Sequence, residues 1–223
     1  MSELNVMFWG RTDYGTALTR QAELLERRLA GLVPDSLILT EHSPVLTVGR
    51  GGTLADLLVP PEEVNRQGIQ IYHVGRGGRI TYHGPGQLVI YPVIHLDRCG
   101  RDVHKYRWLL EEVSIQVLAE FGLHGVRQPD KPGVWLGNAK IASIGIQVKK
   151  WLTMHGMAVN ISDCRDGFRL INPCGINGCS MTSFQQELAG SPPVRQVAAA
   201  AVKAFVRVFQ YDNWTTEVDS YAV

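Results

Sequence analysis

Residues 75–92 read GRGGRITYHGPGQLVIYP, and how this stretch folds decides what is built around it. Its second half holds Leu88-Val89-Ile90-Tyr91, a short apolar run with the composition of a strand, in which Gln87, Val89 and Tyr91 share one face. In the first half Gly75, Gly77 and Gly78 permit backbone angles closed to other residues and let the main chain approach a ligand, while Arg76 and Arg79 carry guanidinium groups suited to an anionic or carbonyl-bearing group. For GRGG alone, a glycine turn between two strands with solvated arginines is the better reading. Thr81, Tyr82 and His83 then lead into Gly84-Pro85-Gly86, a defined loop. A histidine beside such a loop, near a glutamine and a threonine, makes a concave polar site at a strand end as good a reading as a structural histidine.

Outward from this stretch, residues 5–9 suit a short strand, and 13–30 place Ala17, Leu18, Ala22, Leu25 and Leu29 at the spacing of an amphipathic helix capped by Asp13. Residues 36–40 and 45–48 read as strands separated by the turn-prone EHSP, and 69–73 as another. A second helix covers 103–121, short apolar runs follow at 134–136, 141–148 and 157–161, and a last helix covers 194–209. Runs of strands between isolated helices predict an α+β fold with antiparallel pairs rather than a doubly wound parallel sheet. No Pro-, Gly- or Ser-rich linker divides the chain.

The 223 residues are 45% hydrophobic, enough for a substantial core. The 22 Lys and Arg against 21 Asp and Glu leave a net charge of +1, which gives no global electrostatic case for nucleic acid or an anionic membrane. The opening MSELNVMFWGRTDYGTA has no signal-peptide pattern and no apolar run approaches the ~18 residues of a membrane span, so a cytoplasmic location is expected. Four cysteines, Cys99, Cys164, Cys174 and Cys179, are too few for a disulfide scaffold.

Two further segments carry chemical potential. In GNAKIASIGIQV, strand alternation puts Lys140 on the face of Ala142, Ile144 and Ile146; a lysine there suits a base or a partner for a thiolate, although a first-position lysine pointing to water is the slightly better reading from spacing alone. In RLINPCGINGCS, Cys174 sits between Pro173 and Gly175 in a segment too rich in turn formers for a core element. A thiolate nucleophile attacking an acyl carbon is one reason for a loop cysteine. Zinc held by Cys164, Cys174, Cys179 and His155 is a weaker one, because the spacings are not those of paired knuckles.

Together these segments resemble the lipoate-biosynthesis octanoyltransferases. The similarity rests on Arg76-Gly77-Gly78, 81–87, Tyr91-Pro92, 140–145, His155-Gly156, Asn160 and 172–175, in the family's order. The resemblance implies the fold of the biotin and lipoate protein ligases, a central mixed, largely antiparallel β-sheet with flanking helices, with 1–223 as a single catalytic domain. It implies Cys174 as the nucleophile that takes an octanoyl group from acyl carrier protein, Lys140 as its activator, and no cofactor or metal. The acyl pocket would be formed by Arg76, Gly77, Gly78, Arg79, Ile80, Thr81, Tyr82 and His83, with Ser143, Ile144 and Gly145 and then Gly156, Met157 and Ala158 completing its walls. The implied acceptors are lipoyl domains of 2-oxoacid dehydrogenase complexes and the glycine cleavage H protein. No nucleic acid or membrane partner is implied.

Overall fold

The computed structural model describes residues 3–173, 179–188 and 190–218. Twelve strands and six α-helices follow one another among these residues. Strand β1 (Glu3–Thr12) leads into helix α1 (Tyr14–Leu29), whose first turn is capped by Asp13 accepting from the Thr16 amide, as the sequence predicts. Strands β2 (Asp35–His42) and β3 (Val45–Val48) come next, then α2 (Pro61–Arg66) and β4 (Gln70–His73). The opening stretch supplies β5 (Ile80–His83) and β6 (Gln87–Val93). Helix α3 (Val103–Glu120) precedes β7 (Val126–Gln128), β8 (Lys131–Leu136), β9 (Ala139–Lys149) and β10 (Leu152–Asn160). The short α4 (Arg165–Phe168), β11 (Ser180–Met181) and α5 (Phe184–Glu187) lead to α6 (Val194–Phe209) and β12 (Asn213–Val218).

Two sheets result. The larger runs in the order β12-β1-β2-β6-β10-β9-β8-β7, with β11 added alongside β9, and the smaller in the order β4-β3-β5. From β2 through β7 every neighbouring pair is antiparallel, whereas β12, β1 and β2 run parallel and β11 runs parallel to β9. This is the expected mixed, largely antiparallel α+β sheet. Strands β2 and β3, separated only by a turn, do not pair with each other: β2 lies between β1 and β6 in the large sheet, and β3 is the centre of the small one.

Period-2 alternation sorts the large sheet's side chains into two layers. Leu88 and Ile90 of β6 pack with Leu110 and Val113 of α3 and Phe205 of α6, while Val89 and Tyr91 turn to the opposite face, toward Ala17 and Leu25 of α1. The small sheet has its own core, in which Leu46, Ile80 and Tyr82 meet Cys164 and Phe168 around α4. The space left between the α1 face of the large sheet and strand β5 is where the site forms.

Candidate active site

A cavity of about 600 Å³, its mouth included, opens between the two sheets. Strand β5 and the glycine-rich turn before it form one side, with Arg76, Gly78, Arg79, Ile80, Thr81 and His83 in the wall. Strands β9 and β10 form the other, with Lys140, Ser143, Ile144, Gly145, Gly156, Met157 and Ala158. Val89 and Tyr91 supply the floor from β6, Tyr14 enters from the first turn of α1, and His155 and Pro173 complete the lining. Two residues expected in the pocket lie elsewhere. Tyr82 points to the other face of β5, where its ring stands edge-on to Phe168, and Gly77, whose amide bonds the Ile146 carbonyl at 2.8 Å, is not in the wall. Cys174 and Gly175 lie outside the described residues; Pro173, the residue before Cys174, lines the cavity.

Lys140 is buried, 3% exposed, rather than turned to water as a first-position lysine would be. Its ammonium stands 5.2 Å from the centre of the Trp135 indole. Its side chain packs on β8 at Gly133 and Trp135, and its backbone is held by β11, which pairs Met181 with Lys140 and is continued by the Thr182 amide donating to the Lys140 carbonyl at 2.9 Å.

The arginines divide their work. Arg76 is almost wholly buried and clamps the glycine-rich turn to β3, with Nη2 donating to the Thr47 carbonyl at 2.6 Å and to Thr47 Oγ1 at 2.8 Å, and Nη1 donating to the Gly77 carbonyl. Arg79 pairs with the buried Asp56 carboxylate at 2.5 Å, and this cation beside Asp56 helps hold its carboxyl below the usual range against the opposite pull of burial. Both guanidinium groups thus fix the turn's conformation as well as charging the wall.

His83 and His155 line the cavity, His42 stands edge-on behind His83, and burial keeps each one neutral. His83 is pushed down to about 3, by burial first and then by its neighbours His42 and Arg76 among others, while His42 and His155 are each pushed down to about 4, again chiefly by burial. His42 Nδ1 lies 2.8 Å from the Thr12 carbonyl, so this nitrogen carries the proton and Nε2 accepts from the Tyr91 hydroxyl at 2.7 Å. The Tyr14 ring stacks on His83 at 6.1 Å between centroids and meets His42 edge-on, and burial raises its hydroxyl to about 12. His155 adopts a left-handed backbone with φ +57°, its amide donates to Gln21 Oε1, and its Nε2 is buried with no partner among the described residues.

Tyr14, Val89, Tyr91 and Pro173 were not expected in the site. Val89 and Tyr91 could have been found from the alternation that puts them on the face of Gln87; Tyr14, the first residue of an amphipathic helix, carries no local mark of its role. Among the described residues no group of His, Cys, Asp and Glu is arranged to hold a metal ion, and no helix is long and apolar enough to cross a membrane.

Comparison with known proteins identifies the family and the fold. Residues 13–206 match the lipoyl protein ligase A/B catalytic domain. The octanoyltransferase of Geobacter metallireducens is 44% identical over 196 residues, covering 88% of this chain and 89% of that protein. The octanoyltransferase of Desulforamulus reducens is 42% identical over 204 residues, covering 91% and 90%. In solved structures the fold is similar to a lipoate-protein ligase A bound with ATP (TM-score 0.78, 14% identity, 100% of this chain and 91% of that one). A biotin protein ligase from Aquifex aeolicus is more distant (TM-score 0.58, 12% identity, 92% and 70%). With the domain matched across most of its length and such relatives on both measures of coverage, the chain belongs to the octanoyltransferases, a family of acyltransferases built on the lipoyl protein ligase A/B catalytic domain.

Proposed function

We propose that this chain, acting as a single catalytic domain over 1–223, moves an octanoyl group from the thioester of octanoyl-acyl carrier protein to Cys174, and from there to a lysine amine of a lipoyl domain. Acceptors of this kind occur in 2-oxoacid dehydrogenase complexes and the glycine cleavage H protein, and the work is done in the cytoplasm without a cofactor. The observation that carries the reading is Lys140, a cation buried in the wall of a largely apolar cavity that is also lined by Pro173, the residue preceding Cys174. An ammonium beside a thiol favours the thiolate, and the thiolate is the form that attacks an acyl carbon. Exchange of one thioester for another is close to isoenergetic, and amide formation in the second step supplies the drive. The walls at Ile144, Met157, Ala158 and Val89 suit a saturated chain, and the acyl pocket takes in Arg76, Gly78 to Thr81 and His83, with Ser143 to Gly145 and Gly156 to Ala158.

Intact-protein mass spectrometry after incubation with octanoyl-acyl carrier protein, without ATP, tests donor and nucleophile together. One octanoyl adduct on the wild-type chain, absent from Cys174→Ala and discharged by added lipoyl domain, is the expected result. An adduct that forms only with ATP and free octanoate would make the chain a ligase instead.

A further inference from the structure

A line of side-chain hydrogen bonds runs from Asn160 through Gln87 to His83, and its direction can be read from its ends. Asn160 faces Gln87 across the β6–β10 ladder, and its Nδ2 donates to the main-chain carbonyl of Thr182 at 2.9 Å. A carbonyl only accepts, so the Asn160 amide has one orientation and turns Oδ1 toward Gln87. Gln87 Nε2 donates to that oxygen at 2.9 Å and to the Tyr82 carbonyl at 3.3 Å. Two acceptors, one of them again main chain, therefore orient the second amide in the same sense. Its Oε1 is left facing His83 Nδ1 at 2.6 Å, and an oxygen acceptor at that distance requires the proton on Nδ1. In a neutral imidazole Nε2 then holds the lone pair. Among the described residues Nε2 has no hydrogen-bond partner, and the ring lies in the cavity wall.

We propose that Gln87 and Asn160 are positioning residues that hold His83 in the Nδ1–H tautomer, so that its Nε2 offers the reacting groups a lone pair and no proton. The inference rests on the acyl-transfer reading of the cavity. A histidine in this state cannot donate to the acyl carbonyl or to an oxyanion. It accepts a hydrogen bond from the N–H of the incoming lysine amine and so aims the amine's own lone pair at the thioester carbon. As the C–N bond forms and the C–S bond breaks, the proton lost by the amine ends on the departing sulfur of Cys174, so the step balances without another reactant. Loading differs, because a thiolate carries no N–H to be received. Breaking the relay should consequently harm transfer to the amine more than loading.

The groups around the ring leave the relay in control of its state. Arg76, His42, His155 and Tyr14 face it from the turn, β2, β10 and α1; the guanidinium and burial both oppose a second proton.

Long-range ¹H–¹⁵N correlation spectra of the full chain labelled at histidine read the tautomer directly, with His83→Asn supplying the assignment. The expected spectrum has a pyrrole-like Nδ1 and a pyridine-like Nε2 for His83, the reverse of the preference of free histidine. In Gln87→Leu the ring should change to the Nε2–H form, and single-turnover transfer to the lipoyl domain should fall by about tenfold to a hundredfold, with a smaller loss in loading from octanoyl-acyl carrier protein. A proton on Nε2 in the wild type overturns the proposal, as does a Gln87→Leu variant that loses loading and transfer equally. A chain that is never acylated would overturn the transfer role along with the acyl-transfer reading, while the spectrum alone decides the tautomer.

Discussion

At Lys140 a charged group is held in the wall of a mostly apolar cavity, and the consequence falls on the thiol chemistry of the whole chain. Burial raises the thiol of Cys99 and pushes that of Cys164 up to about 12, so neither forms much thiolate near neutrality. Cys174 is therefore expected to alkylate first at pH 7, ahead of both and of the half-buried Cys179. In Lys140→Ala its rate-versus-pH profile should move up by about one unit or more, as loss of a neighbouring cation requires. An unmoved profile, measured by mass spectrometry of iodoacetamide-treated protein, would take Lys140 out of the activating role. The burial of Lys140 was not legible in GNAKIASIGIQV, since the alternation that singles the residue out does not say what covers it. The cover comes from Gly133 and Trp135 of the neighbouring strand. His83 and Gln87 could be paired by eye, four positions apart, but Asn160 entered only through the resemblance, because the ladder that joins it to Gln87 spans seventy-three positions.

Two strands depend on a glycine where the chain must pass close to another backbone. At Gly156, φ is +157° and a methyl group would collide with the Ile90 carbonyl oxygen and come within 2.7 Å of Pro92 Cδ. Gly156→Ala should cost about 1–3 kcal/mol of stability and spread β6 from β10 at the cavity floor, read as a lowered Tm together with loss of both loading and transfer. At Gly133 of β8, φ is +118° and a methyl would meet the Ala142 carbonyl and lie 2.5 Å from Lys140 Cε. Gly133→Ala should thus displace the lysine as well as strain the strand, lowering activity further than an equally destabilising change distant from the cavity. If activity per folded molecule is unchanged, the packing of Lys140 against β8 is not what sets its position. At this scale the long helices were easily read: α1, α3 and α6 stand within a residue or so of their expected limits. Strand β5 was hidden, because in RITYH the residues that make a strand are the ones that resemble a polar site, and they are both. Strand β12 has every residue exposed, so no hydrophobic pattern announced it.

For the molecule as a whole, the neutral histidines make acid the weak side of its stability. His42, His83 and His155 start from 6.5 in the unfolded chain and fall to about 4, about 3 and about 4 in the folded one. Above 6.5 neither state is protonated and the burial carries no penalty; as pH falls, the unfolded chain takes up protons that the folded one refuses. Stability is therefore lost from about pH 6.5 downward through about pH 4, by up to about 1.4 kcal/mol per pH unit for each histidine. Urea midpoints measured at pH 7, 6 and 5 should decline, and in His42→Asn the decline should be shallower even if the starting value is lower. A slope that is the same in wild type and variant would mean that His42 is solvated. The fold class was legible from the order of strands and helices, but the assignment of strands to sheets was not. EHSP looks like a hairpin turn, yet β2 and β3 go to different sheets, because partners for each are supplied by residues far along the chain.

That long-range pairing also sets a schedule. Gln87 meets Asn160 only when β10 has been made and laid against β6, and the backbone of Lys140 gains its second strand only when β11 follows. A growing chain that already displays the whole 75–92 stretch thus has no cavity, no oriented imidazole and no sheltered ammonium. Non-local pairings of this kind also close slowly. The parts of the cavity named here can be assembled only after the chain has been made through β10 and β11.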